Sequence, residues 1–203
     1  MQNDTAIARL LGALLYHSPN SETVTAILRA VAGQEGGLLQ PLSQLALEVN
    51  ADELEADFFR LLQGDGEMPC PPWGSAYLDP ENALFGSSTL EFRTFLTGVG
   101  IQCDTGMREP EDHIGLMLMV LSALLERGER GHATQLLAYH LMPFASDMLA
   151  SMEKHASTDF YRAIAACTLG WLTLYCEDAD IQVATRPCYW EKEIVDGDQP
   201  GAQ

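Results

Sequence analysis

Glu109-Pro110-Glu111-Asp112-His113-Ile114-Gly115 opens a run of uncharged, mostly apolar residues that continues to Leu125. A proline inside an acidic cluster, followed by unbroken apolar residues, predicts a deeply buried helix over 110–127 with Pro110 in its first turn, where a missing N–H costs nothing. Asp112 and His113 then stand at the edge of a hydrophobic interior, an unusual place for two polar side chains. The pairing suggests a binding site.

The segments around this helix carry the same period. Ile7, Leu10, Leu11, Leu14 and Leu15 recur at helical spacing after Asn3-Asp4-Thr5, and Val24, Ile27, Leu28 and Val31 do so after Pro19-Asn20-Ser21. Further apolar stretches predict helices over 42–49, through Leu54, Phe58, Phe59 and Leu62, and through Leu90, Phe92, Phe95 and Leu96. Beyond Gly128 and Gly131, Leu136, Leu137, His140 and Leu141 form a helix that Pro143 breaks; Phe144, Met148 and Met152 begin the next. The last long helix carries Phe160, Ile164, Cys167, Trp171, Leu172 and Tyr175, and 181–185 is the one strand-like run. The expected fold is all-α, a single-domain bundle of roughly eight to ten helices over 1–190, followed by an acidic polar tail over 191–203.

Residues 64–86 break the pattern, with Pro69, Pro71, Pro72 and Pro80 interleaved with Gly64, Gly66, Gly74 and Gly86. Trp73, Tyr77, Leu78, Leu84 and Phe85 argue for an ordered loop, because disordered segments are poor in large apolar residues. Loops that carry their own aromatics are often functional. The connection over 101–108 then leads back to the buried helix.

Charge narrows the partners. Among 203 residues 29 are acidic and 11 basic, a formal net charge of -18, which disfavours nucleic acid and suits a cationic partner or simply a solubilising surface. Five cysteines without a C-x-x-C pair disfavour both a disulfide framework and a zinc site. The N-terminus lacks the features of a signal peptide, and the run 114–125 is too short to span a bilayer, so a cytoplasmic location with no integral membrane segment is expected.

Catalysis finds little support. Adjacent residues on a helix point about 100° apart, so Asp112 does not orient His113 as a triad acid would. There is no G-x-S-x-G elbow, and neither of the two lysines, Lys154 and Lys192, follows a glycine-rich loop. The five histidines are scattered, so no metal and no cofactor are expected. A small hydrolase using His113 and an acidic docking subunit without catalysis remain as alternatives. There is also a purely architectural reading: Glu109, Glu111 and Asp112 complement a helix N-terminus, His113 bonds a backbone carbonyl, and Trp73, Tyr77 and Phe85 plug the core under a loop.

Together the motifs Pro71-Pro72-Trp73-Gly74-Ser75, Leu84-Phe85-Gly86, Gly100-Ile101-Gln102, Glu109-Pro110-Glu111-Asp112-His113 and Tyr139-His140-Leu141-Met142-Pro143, in this order and spacing, resemble the DmsD/TorD family of redox-enzyme maturation chaperones. The resemblance runs from about residue 7 to 187 and looks closest to the dimethyl sulfoxide reductase branch. It implies a non-enzymatic cytoplasmic chaperone that binds the twin-arginine signal peptide of a molybdenum-cofactor reductase and delays export until the cofactor is loaded. The mature reductase subunit and cofactor-biosynthesis proteins are further candidate partners. The family's peptide-binding positions fall on Trp73, Gly100, Asp112 and His113, with Tyr77 and Phe85 in the surrounding segment. The chain departs from relatives in having Tyr77 where Trp is common, Cys70 before the proline pair, and a longer acidic tail after Trp190.

The residues suit that task on their own terms. Two guanidinium groups followed by an apolar segment need an apolar groove with carboxylates at one end. Trp73, Tyr77, Leu78 and Phe85 are candidates for the groove, and Asp112, with Glu109 and Glu111 nearby, for the charge. His113 is a candidate donor to a peptide carbonyl, and a helix N-terminus favours its neutral form.

Overall fold

The computed structural model describes residues 2–34, 36–64, 68–81, 84–103 and 109–190. Parts of the 64–86 loop (65–67, with Gly66, and 82–83), the 104–108 end of the connection and the 191–203 tail lie outside the described residues. The fold is all-α. Ten α-helices are described: α1 Gln2–Tyr16, α2 Glu22–Ala32, α3 Gln40–Glu48, α4 Ala51–Phe58, α5 Ser75–Leu78, α6 Ser87–Gly98, α7 Ile114–Glu126, α8 Arg130–Gln135, α9 Met142–His155 and α10 Asp159–Asp178. Among the described residues there is no strand, only an isolated antiparallel bridge between Trp73 and His113. No described helix is long and apolar enough to cross a membrane.

The helix expected over 110–127 begins later, at Ile114. Pro110 is not in its first turn: Pro110, Glu111 and Asp112 form a turn outside the helix, and His113 in extended conformation is the N-cap. The reason is the bridge, which draws residues 112–114 into pairing with 72–74 and so keeps the acidic cluster out of helical geometry. From Ile114 onward α7 is buried on nearly every side, as a helix apolar all round must be. Its main partner is α1. A Cβ on Gly12 would lie 2.7 Å from the Gly115 carbonyl oxygen, and one on Gly115 2.8 Å from that of Gly12, so the two backbones touch where they cross. This close approach brings Tyr16, at the end of α1, beside His113 at the start of α7.

α9 and α10 form a second pair, with α3 and α4 against α10. Asp57 of α4 is the rivet here, accepting from Ser157 N, Thr158 N and Thr158 Oγ1 at 2.8–3.1 Å and from Arg60 Nη2 at 2.7 Å. Two π-helical turns, Phe59–Gln63 and Leu136–Leu141, interrupt stretches that the sequence reads as plain helix. The second ends where Pro143 starts α9, so the break expected at Pro143 takes the form of a widened turn. After α10 the chain turns at Asp180 (φ 50°) and runs back without regular structure to Trp190. Residues 181–185, strand-like in sequence, belong to this strap. Buried residues from α1 to Ile181 form one contiguous cluster, and all five cysteines are unbridged.

Candidate functional site

The site grows from the bridge. Gly74 N–H donates to the Asp112 carbonyl at 3.0 Å and Ile114 N–H to the Pro72 carbonyl at 2.8 Å, which welds the Pro-Pro-Trp-Gly-Ser segment to the start of α7. A Cβ on Gly74 would lie 3.0 Å from the Phe144 ring of α9, so the segment is also packed tightly on that side. The same weld separates Asp112 from His113, whose side chains leave in different directions.

His113 is buried and fully engaged. Its Nδ1 accepts the Gly115 N–H at 3.0 Å, capping α7, so the ring proton resides on Nε2. The Leu62 carbonyl, at the end of the first π turn, hydrogen-bonds the ring. Burial pushes its pKa down to about 3 against the opposing pull of that carbonyl, and the ring is neutral. Tyr16 and Trp73 meet it edge-on with ring centroids at 5.2 and 6.0 Å.

Asp112 is equally buried, and its Oδ2 accepts the Ser75 N–H at 2.6 Å, holding the first turn of α5. Burial raises its pKa, opposed by that N–H and by the hydroxyls of Ser75 and Thr89. Neither hydroxyl closes a well-aligned hydrogen bond to Oδ1. Asp112 is thus spent inward, without a face for a ligand.

Two carboxylates of the cluster do reach the surface, Glu109 at 15% and Glu111 at 23% exposed. Burial of Glu109 raises its pKa, opposed by the nearby Tyr16 hydroxyl and Trp73 indole N–H, the latter without a well-aligned hydrogen bond. His113 Nε2 lies 3.8 Å away, but the neutral ring supplies no counter-charge. No arginine or lysine among the described residues pairs with Glu109. Glu111, by contrast, already holds Arg93, whose Nε donates to its Oε2 at 2.6 Å. The Arg93 guanidinium also lies over the Phe85 ring, 5.3 Å from its centroid.

Trp73, Asp112 and His113 therefore come together, with Phe85 joined to them through Arg93 and Glu111. Phe85 is 43% exposed and holds a positive φ of 65°, strained for an aromatic residue, and Leu84 and Leu90 beside it are exposed as well. Tyr77 and Leu78 are buried instead of lining a groove; the Tyr77 ring sits between Phe144 and Trp190, at 5.7 and 5.4 Å. Gly100 lies apart. It ends α6 with φ 64°, and Arg127 at the far end of α7 donates to neighbouring Val99, about 20 Å along the helix from His113. Sequence reading did not reach Tyr16, Leu62 or Arg93, and it put Glu109 behind Asp112. Only Tyr16 carries a signal, as the aromatic residue that closes an otherwise aliphatic helix.

Among the described residues no cluster of His, Cys, Asp or Glu is suited to a metal. A family model described as "Nitrate reductase delta subunit" matches residues 29–156. The Tat proofreading chaperone DmsD of Salmonella paratyphi A is 36% identical over 197 residues, 93% of this chain and 97% of the relative. The chain belongs to the DmsD/TorD family of redox-enzyme maturation chaperones. The chaperone protein YcdY of Escherichia coli, 28% identical over 83% of this chain and 91% of its own length, is a more distant member. A crystal structure described as a candidate redox enzyme maturation protein from Archaeoglobus fulgidus shares the fold, with a TM-score of 0.62 at 19% identity over 83% of this chain and 93% of that one. The DmsD/TorD proteins are named as chaperones, and this member is not an enzyme.

Proposed function

We propose that this chain binds, in the cytoplasm, the twin-arginine signal peptide of a dimethyl sulfoxide reductase-type molybdoenzyme subunit and assists cofactor loading before export. The observation that carries the reading is Glu109: a carboxylate only 15% exposed, paired with no arginine or lysine among the described residues and lying beside Tyr16 and Trp73, in a protein whose relative is named a Tat proofreading chaperone. A leader arginine supplies the charge that Glu109 lacks, and a guanidinium fits a carboxylate and an aromatic face at once. The leader's apolar segment lies over Trp73, Leu84, Phe85 and Leu90. Asp112, His113 and Tyr77 serve from beneath, holding the bridge and α5 in place. Gly100 is reached by a peptide long enough to follow α6. Residues 1–190 form the chaperone domain and 191–203 an appended tail, and the mature reductase subunit and cofactor-biosynthesis proteins are further partners of the same complex.

The test is calorimetric titration with a synthetic leader peptide. We expect micromolar or tighter binding, with Glu109→Gln weakening it about tenfold, the ~1.4 kcal/mol of a charge-assisted hydrogen bond. A twin-lysine peptide is expected to bind more weakly, since Lys lacks the planar fork. Equal affinity for both peptides and for the Glu109→Gln protein would remove the carboxylate from the account.

A further inference from the structure

We infer that the C-terminal strap, residues 181–190, is a positioning element of the site, acting through Tyr77. Its bearing on peptide affinity rests on the leader-binding reading above. α5, from Ser75 to Leu78, is four residues long, far below the length at which a helix holds itself. It must be held from outside at both ends.

Its N-terminal end is held by Asp112 through the Ser75 N–H. At the C-terminal end the Tyr77 carbonyl, an acceptor with no helical partner, takes the Tyr189 N–H at 2.7 Å. The Trp190 ring packs against that of Tyr77 with centroids 5.4 Å apart, nearer than Phe144 at 5.7 Å. Tyr77 is completely buried, with Trp190 of the strap packed against its ring.

The strap has no internal framework. Ala184 N–H donates to the Ala138 carbonyl at 2.9 Å, and Arg186 Nη1 reaches the Tyr139 carbonyl at 3.3 Å and pairs with Glu91 at 3.0 Å. Beyond Ile181, which is buried and donates to the Cys176 carbonyl at 2.9 Å, it can therefore lift away without unwinding any helix. Since Ser75 is two residues beyond Trp73 and bonded to Asp112, a displaced α5 moves the Trp73 edge of the Glu109 cup directly. Trp190 is thus a positioning residue that touches no peptide.

The test compares Trp190→Ala and Trp190→Phe with the wild-type full chain in two measurements. One is amide hydrogen exchange at Ser75, Ala76, Tyr77 and Leu78; the other is calorimetric affinity for the twin-arginine leader peptide. Trp190→Ala is expected to speed exchange at these four amides at least tenfold while α7 and α9 stay protected, and to weaken the peptide at least threefold. Trp190→Phe, which keeps an aromatic face on Tyr77, is expected to restore both. Unchanged exchange, protection lost throughout the core, a Phe variant as damaged as the Ala variant, or tighter peptide binding on removing Trp190 would each overturn the inference. Should Trp190→Ala fail to fold, Arg186→Gln releases the strap at its middle, and the same two measurements decide. If the wild-type chain does not bind the peptide, the leader reading falls, and amide exchange alone still decides whether the strap holds α5.

Discussion

Asp57 and Asp112 are both buried aspartates whose carboxylates sit at the start of a helix to which they do not belong, α10 for the first and α5 for the second. Both oxygens of Asp57 are filled, by two backbone N–H groups, a hydroxyl and a guanidinium. Asp112 has one strong donor on Oδ2 and leaves Oδ1 among two hydroxyls that do not close onto it. A closed carboxylate joins the eight-residue α4 to the start of α10 and does nothing more. An under-filled one holds a four-residue helix next to Trp73 and Glu109, a carboxylate that no arginine or lysine among the described residues pairs with. Incompletely satisfied polar groups gather where function competes with packing, and here they mark the site more clearly than exposure does.

The contrast breaks most visibly at Asp57. Asp57→Ala leaves the N–H groups of Ser157 and Thr158 without their acceptor and removes the ion pair to Arg60, and is expected to cost about 3 kcal/mol or more of unfolding free energy, measured by urea denaturation. Leader affinity of the remaining folded protein should be unchanged. A loss below about 1 kcal/mol would show that the filled cage is not a rivet.

Acid tests the other region. The folded-state pKa of His113 is about 3 against an ordinary 6.5, so between those values the unfolded chain takes up a proton that the folded chain refuses. Its contribution is present above pH 6.5 and is lost as pH falls toward 3. His140, pushed down to about 4 by burial, acts in the same direction. Asp112 and Glu109, both raised by burial, act oppositely, because the folded state gains their protons first as the medium is acidified. The expected net is a loss of about 1–3 kcal/mol between pH 7 and 4. His113→Gln should flatten that slope; a slope identical to that of the wild type would show that the ring is not the group refusing the proton.

The smallest effect is expected from Asp112→Asn. The amide keeps the shape and an acceptor for Ser75 N–H while removing a charge that burial disfavours. Stability should change by about 1 kcal/mol or less and leader affinity by a few-fold, well below the effect of Glu109→Gln. An Asp112→Asn loss larger than that of Glu109→Gln would return Asp112 to the peptide-facing role and reverse the comparison.

Much of this was legible in the chain. Leucine spacing over 7–15 and valine and isoleucine spacing over 24–31 mark α1 and α2, and Ser21 of the Pro19-Asn20-Ser21 start is the N-cap of α2. The five motifs were enough for the family. Residues 109–113 were the point of failure, since an acidic cluster with proline before an apolar run reads as a helix start. The local signal was outweighed by two backbone hydrogen bonds to residues 72 and 74.

What the sequence by itself determined is periodic or punctuated: helices from apolar recurrence, their limits from glycine and proline, the acidic surface from composition, and the family from motif order. All of these are properties of neighbouring residues or of plain counts. Tertiary structure alone decided which side chain faces which. Ser75 and Asp112 are 37 positions apart, and Tyr16, Leu62, Trp73 and His113 come from four separate segments. Whether a carboxylate is spent on a backbone N–H or left for a ligand depends on burial and on donors from distant parts of the chain, and one-dimensional spacing carries no record of either.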